Sequence, residues 1–179
     1  MKKQRGFTLI ELLVLVAIIA ILATVAVPDF STTIKNNRDI TQLNGLLTSL
    51  TLARSDAIKT GSSVTVCAGS TPACGGSTWA DGWVVYYNAP LPPGVTTPVI
   101  HVYPAIGGSN TFTSDGGYSF TFQGNGTLTP IPPSPLNFTL CDSRGPVFAR
   151  AIGLAFTGRA EAASIVGYQL DGATPLACP

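Results

Sequence analysis

Gly6-Phe7-Thr8-Leu9-Ile10-Glu11-Leu12-Leu13 opens a run that stays apolar as far as Val27, apart from Thr8, Glu11 and Thr24. Lys2, Lys3 and Arg5 stand directly before it. Read as a helix, the run is about 30 Å long, enough to cross the hydrocarbon core of a bilayer. The leading cations would hold the short N-terminus on the cytoplasmic side. A carboxylate inside such a segment is costly, so Glu11 marks function by default.

An ordinary secretory signal peptide is the competing reading of this start. It fits poorly. No Ala-x-Ala follows the run; the alanines at 17, 20, 23 and 26 recur every third residue instead. A glutamate is also out of place in the apolar centre of a signal peptide.

Beyond Pro28 the helical pattern resumes. Ile40, Leu43, Leu46, Leu47, Leu50, Ala53, Ala57 and Ile58 share one face at a period of 3.6, with Arg38, Gln42, Ser49 and Ser55 largely elsewhere. Thr60-Gly61 is a plausible stop. One long helix is therefore expected from about residue 8 to 60. Pro28 is expected to kink or loosen it, since proline lacks an N–H and crowds the preceding turn.

After Gly61 the pattern changes to period two. Strands are expected at Val64–Cys67, Trp83–Tyr87, Val99–Tyr103, Tyr118–Phe122, Thr127-Leu128, Phe138–Cys141, Ala149–Phe156 and Ser164–Leu170. Gly124-Asn125-Gly126 offers a tight turn. Pro-rich stretches at 88–98 and 130–135 read as loops. The class is α+β: a long N-terminal helix, membrane half plus amphipathic half, packed on an antiparallel β-sheet head.

Only 11% of residues are charged, against 19 glycines and 14 prolines, a composition suited to a loop-rich extracytoplasmic domain. The formal net charge is +1. Without Lys2, Lys3 and Arg5, the 10 basic residues fall to seven against 9 acidic, a balance near −2 that builds no basic face for nucleic acid.

The four cysteines, Cys67, Cys74, Cys141 and Cys178, read as two disulfides. They lack the paired C-x2-C spacing of a zinc site, so no metal is expected. Three pairings are possible and spacing alone does not choose. The favoured arrangement closes a short loop with Cys67–Cys74 and ties the C-terminal tail to a strand with Cys141–Cys178.

No Gly-x-Ser-x-Gly elbow, His-Glu-x-x-His helix or phosphate-binding loop appears, and His101 stands alone in an apolar, proline-flanked segment. Neither an enzyme nor a cofactor is expected.

The N-terminal string resembles the processing site of type IV prepilins and type II secretion pseudopilins. The resemblance implies a leader at 1–6, cut after Gly6 and followed by methylation of the new N-terminal Phe7. It further implies a transmembrane or filament-core helix at 7–28 and a globular head at 29–179, with an amphipathic helix at 29–60 and a β-rich part at 61–179. Glu11 would then pair with the freed amine of Phe7, on its own or a neighbouring subunit, and set register as the subunit leaves the membrane. Pro28 would lie at the membrane boundary.

The head carries a second resemblance. Leu52-Ala53-Arg54-Ser55-Asp56-Ala57-Ile58, then Val64-Thr65-Val66-Cys67, Trp79-Ala80-Asp81-Gly82-Trp83-Val84-Val85-Tyr86, Phe138-Thr139-Leu140-Cys141-Asp142 and Thr157-Gly158-Arg159-Ala160 are similar in order to the GspH/FimT group of minor pilins and pseudopilins, which includes FimU. The resemblance implies a structural minor pilin that helps prime a type IV pilus and sits at its tip. Its partners would be other minor pilins, the major pilin, the prepilin peptidase/N-methyltransferase and the inner-membrane assembly platform. It would cross the inner membrane once, head in the periplasm, before joining a pilus or pseudopilus.

Two alternatives follow from the same group: a minor pseudopilin of type II secretion, and a pilin that binds DNA for natural transformation. DNA-binding members imply a second basic residue shortly after the Gly-Arg pair. Here Gly158-Arg159 is followed by Ala160-Glu161, and no Lys or Arg occurs after Glu161. Phosphate binding grows with the number of neutralising cations. Arg159 alone could give only a weak DNA contact, and nucleic acid is not an expected partner.

Overall fold

The computed structural model describes residues 7–69, 74–131 and 135–179, with the side chains of residues 25–29 outside that set. One helix, α1, runs Leu9–Thr60, and helical backbone continues through Pro28. The chain divides into two compact units, one through Arg38 and one spanning Asp39–Pro179.

In the first unit every described side chain from Phe7 to Thr24 is exposed. In the second, α1 turns a stripe of Leu43, Leu46, Leu50, Ala53 and Ala57 into the core. These positions recur every three or four residues, as one helical face requires. Full burial of Leu46 and Leu50 contributes roughly 1.5–3 kcal/mol each.

The head holds two antiparallel sheets where one was expected. The strands are β1 (Val64–Ala68), β2 (Trp83–Tyr87), β3 (Val99–Tyr103), β4 (Thr111–Ser114), β5 (Ser119–Phe122), β6 (Leu128–Thr129), β7 (Leu136–Cys141), β8 (Arg150–Leu154) and β9 (Ala160–Ala162). The first sheet has the order β3-β2-β1-β5-β6 and the second β4-β7-β8-β9.

Period two decides which faces meet. Val64, Val66, Phe120, Phe122, Leu136, Phe138, Leu140, Ile152 and Leu154 all join the helical stripe in one core. On the other face of β1, Thr65 reaches the Thr121 hydroxyl at 2.7 Å and Asn88 at 3.0 Å. On the other face of β8, Ala151 lies with Ala149, Cys141 and Leu176 in a small second cluster.

Four expectations need correction. Ile40 and Ile58, assigned to the apolar stripe, are 40% and 47% exposed, whereas Gln42 and Ser49, assigned away from it, are buried. β4 is an additional strand. Ser164–Leu170 contains no strand; its backbone turns and bonds to its surroundings, with Gly167 N–H donating to Ala149 O at 2.8 Å and Leu176 N–H to Gly167 O at 2.8 Å. The last sheet strand is instead β9.

Candidate assembly site

Phe7 is 80% exposed, and Gly6 lies outside the described residues. Thr8 and Glu11 form a reciprocal cap at the start of α1. Glu11 N–H donates to Thr8 Oγ1 at 3.3 Å, and Thr8 N–H donates to Glu11 Oε2 at 3.5 Å. This is the capping-box pattern, a hydroxyl residue followed three positions later by a glutamate, and it satisfies orphan donors at the helix start. It also places a negative charge where the helix dipole favours one. The sequence reading gives Glu11 an amine partner alone; the spacing Thr8-x-x-Glu11 is the signal of its second role.

From Leu9 to Leu22 the large apolar side chains are half-exposed or more, on every side of the helix. A helix apolar all round belongs in a membrane or buried among other chains, and an exposed patch of this kind marks an interaction site. Among the described residues, no helix is long and apolar enough to cross a membrane. The anticipated span at 7–28 includes residues 25–28, and the side chain of Pro28 lies with theirs outside the described set.

The head is pinned by the two disulfides Cys67–Cys74 and Cys141–Cys178, and the described residues include no free cysteine. Both tryptophans are core residues. Trp79 donates its indole N–H to Gly117 O at 3.0 Å and meets Phe138 edge-on at 5.1 Å. Trp83 donates to Ser49 Oγ at 2.9 Å and stacks on Tyr103 at 4.1 Å. Ser49 in turn donates to Gly45 O at 2.9 Å. A Cβ at Gly45 would stand 2.5 Å from the Tyr103 ring, so only glycine lets the Trp83–Tyr103 pair close against the helix.

Arg54 is a clamp rather than a salt bridge. Its Nε donates to Gly126 O and Thr157 O, both at 3.2 Å, joining the helix to two turns. Gly158 makes that clamp possible: its φ is +77°, and a Cβ there would come within 2.1 Å of Gly126 O. The neighbouring Arg159 is 74% exposed and paired with Glu161. Its cation is matched by an anion.

A buried charged cluster escapes the sequence reading. Arg144 Nη2 lies 2.9 Å from Asp39 Oδ2, and its Nε lies 2.6 Å from Asp142 Oδ2. Asn110 donates to Asp39 at 2.8 Å and to Gln42 at 2.7 Å, and Gln42 donates to Gly107 O at 2.9 Å. The Arg144 guanidinium sits 4.5 Å over the Phe148 ring. Burial raises the Asp39 carboxyl above its ordinary range, and the nearby Asp142 charge adds to that despite the Asn110 and Arg144 donors. For Asp142, burial pulls upward, but the backbone and side-chain bonds from Arg144 outweigh it and hold the carboxyl low. Asp39 and Arg144 are 105 residues apart, so no local pattern announces the pair.

Among the described residues no group of His, Cys, Asp or Glu could hold a metal ion. His101 lies on β3 and is exposed.

A family model described as type II transport protein GspH matches residues 42–158. A second, the prokaryotic N-terminal methylation motif, matches residues 1–27. Two fimbrial proteins of Pseudomonas aeruginosa are each 45% identical over 51 residues, or 27% of this chain and 33% of theirs. The match thus spans about a third of the length of these relatives. Two crystal structures of the type IV minor pilin FimU from Pseudomonas aeruginosa share the fold at 21% identity. One has a TM-score of 0.56 and covers 72% of this chain and 90% of that one; the other has 0.52, covering 68% and 90%.

Proposed function

This chain belongs to the type II transport protein GspH family, and from that premise we propose that it works as a structural minor pilin of a type IV pilus. It is made as an inner-membrane prepilin with its head in the periplasm. A prepilin peptidase/N-methyltransferase cuts it after Gly6 and methylates Phe7. It then joins other minor pilins in the complex that primes assembly at the tip, above the major pilin.

The observation that carries this reading is the segment from Leu9 to Leu22. It is apolar on all sides, it is left exposed, and it is headed by a single ordered carboxylate. Such a surface requires lipid or other chains around it. Glu11 then supplies the one directional interaction in an otherwise featureless apolar contact. In a low-dielectric bundle its pairing with an ammonium group is strongly favoured over either charge alone. The head contributes shape, made rigid by two disulfides and the clamps at Arg54 and Arg144. Arg159, already paired with Glu161, is a structural or interfacial residue.

A second reading, a minor pseudopilin of type II secretion, is favoured by the description of the matching family. Deleting the gene separates the two: loss of surface pili supports the first, and loss of exoprotein secretion with normal piliation supports the second.

The test of the processing pathway is intact mass with N-terminal peptide mapping on protein taken from its native membrane. A chain that begins at methylated Phe7 is expected. One that begins near Val27 would mean ordinary export and would remove the role of Glu11.

A further inference from the structure

Arg150 opens β8, half-buried and paired through its backbone with Leu140 of β7. Period two sets it on the same face as Ile152 and Leu154, which join the core. Among the described residues its Nε is the one buried side-chain nitrogen or oxygen without a hydrogen-bond partner. A guanidinium keeps its charge at any working pH, and buried donors are ordinarily paired. The other arginines of the head follow that rule. Arg144 holds two carboxylates, Arg159 meets Glu161, and Arg54 donates to two carbonyls.

The head offers Arg150 no acid of its own. Asp39 and Asp142 belong to Arg144, and Glu161 to Arg159. Asp115 accepts from Asn137, and Asp171 from its own turn. Asp56 faces the Tyr87 hydroxyl, and Asp81 stands exposed just before β2 of the first sheet. An acceptor must therefore come from outside the head.

The backbone leaves room for one. β9 ends at Ala162, opposite Ile152. Beyond it, Ala163 N–H donates to Ala151 O at 2.9 Å and Gly167 N–H to Ala149 O at 2.8 Å. Between those two bonds the chain bends outward, level with Arg150. Ser164, Ile165 and Val166 in the bend are all exposed, the last two by 47% and 40%. A cation at the root of an exposed apolar bend has the composition of an interface, where arginine is enriched and apolar neighbours exclude water.

We propose that Arg150 receives a carboxylate of the neighbouring pilin subunit, with Ile165 and Val166 as the apolar rim of that contact. This rests on the filament reading above and adds to it a contact on the head. The carboxylate meets the guanidinium in the fork geometry that arginine offers and lysine does not. Glu11 and Arg150 then divide the work: one orders the apolar helices, the other orders the heads.

The full chain is tested in its own cells with Arg150→Met, which removes the cation and keeps an apolar stem, and with Arg150→Lys. Urea unfolding in mild detergent reads the fold, and the amount recovered in sheared filaments, relative to the membrane pool, reads assembly. Arg150→Met is expected to unfold at the parental midpoint, since no internal partner is lost, while its recovery in filaments falls at least about ten-fold. Carbodiimide treatment of Arg150→Lys filaments should join the lysine introduced at position 150 to an Asp or Glu of a second chain, seen as a band of two-subunit size and mapped by peptide mass. Parental recovery of Arg150→Met overturns the inference and leaves Arg150 a solvated side chain. A lowered midpoint overturns it by revealing an internal partner, and so does a lysine at position 150 that couples within its own chain or not at all. A parent chain missing from the filaments overturns the filament reading and this contact together.

Discussion

Arg144→Leu should destabilise the head by about 3 kcal/mol at pH 7.5, and the loss should shrink on acidification. The side chain of Arg144 is 12% exposed, and those of Asp39 and Asp142 are 4% and 3%. Removing one partner of a buried ion pair costs about 3–5 kcal/mol, because the other charge is left buried and unmatched. Two acids are stranded here, but each keeps one donor: Asn110 Nδ2 for Asp39 at 2.8 Å and the backbone N–H of residue 144 for Asp142 at 2.8 Å. That places the estimate at the low end of the range. Leucine also gives up the stacking of the guanidinium over Phe148, 4.5 Å from its ring centre. The melting midpoint should drop by roughly 6–12 °C for a chain of this size.

The pH dependence carries the stronger test. In the parent, Asp142 is held low; its contribution is present above the unfolded value and is lost as pH falls through the folded one. Asp39 is raised, so its contribution is present below the unfolded value and is lost as pH rises through the folded one. The two slopes oppose each other. Without the guanidinium both carboxyls move upward, and both then favour the protonated form in the fold. The variant should therefore lose stability as pH rises from about 4 towards neutrality, by up to about 1.4 kcal/mol per pH unit for each proton released. Urea unfolding of the full chain in mild detergent, followed by Trp79 and Trp83 emission, reads this directly. A loss under about 1 kcal/mol, or the same loss at about pH 5 and pH 7.5, would refute the buried-cluster argument.

Three further substitutions test other parts of the molecule. Ser49→Ala leaves the indole N–H of Trp83 buried without its acceptor and should cost about 1–3 kcal/mol in the same unfolding measurement; an unchanged midpoint would show that the bond contributes nothing. Gly6→Ala puts a side chain at the cleavage position, so uncut precursor should accumulate on immunoblots, and normal processing would move the cut elsewhere. Glu11→Ala should leave cleavage largely intact while impairing assembly, scored as sheared surface filaments; normal piliation would leave Glu11 only its part in capping the helix.

What can be read in the chain before its structure follows from the range of the interactions involved. The start of the molecule is legible because each of its signals is local: cations, glycine, a carboxylate a few residues on, then an apolar run. The stripe Leu43, Leu46, Leu50, Ala53, Ala57 is legible from helical period alone. Gln42 and Ser49 sit among those residues and look like solvent-facing positions. They are buried because their partners come from elsewhere, Asn110 lying 68 residues from Gln42 and Trp83 lying 34 from Ser49. A polar side chain on an otherwise apolar face is ambiguous until its partner is known, since burial is permitted only when the hydrogen bond is made.

The same reasoning covers the β-rich part. β4 holds one core side chain, Phe112, among Thr111, Thr113 and Ser114, too little alternation to stand out. Its place at the edge of the second sheet comes from pairing with β7. Ile165, Val166, Tyr168 and Leu170 offer ample apolar character for a strand, yet Gly167 takes φ +84° and the backbone turns back to pair Tyr168 with Pro175. Propensity describes a residue's preference for a pleated, half-buried surface and does not supply the neighbouring strand. Residues whose role is satisfied within one helical turn, as with Thr8 and Glu11, therefore disclose it in sequence order. Residues such as Arg144 and Asp39, whose partners are brought together by the sheets, disclose it only once the chain has folded.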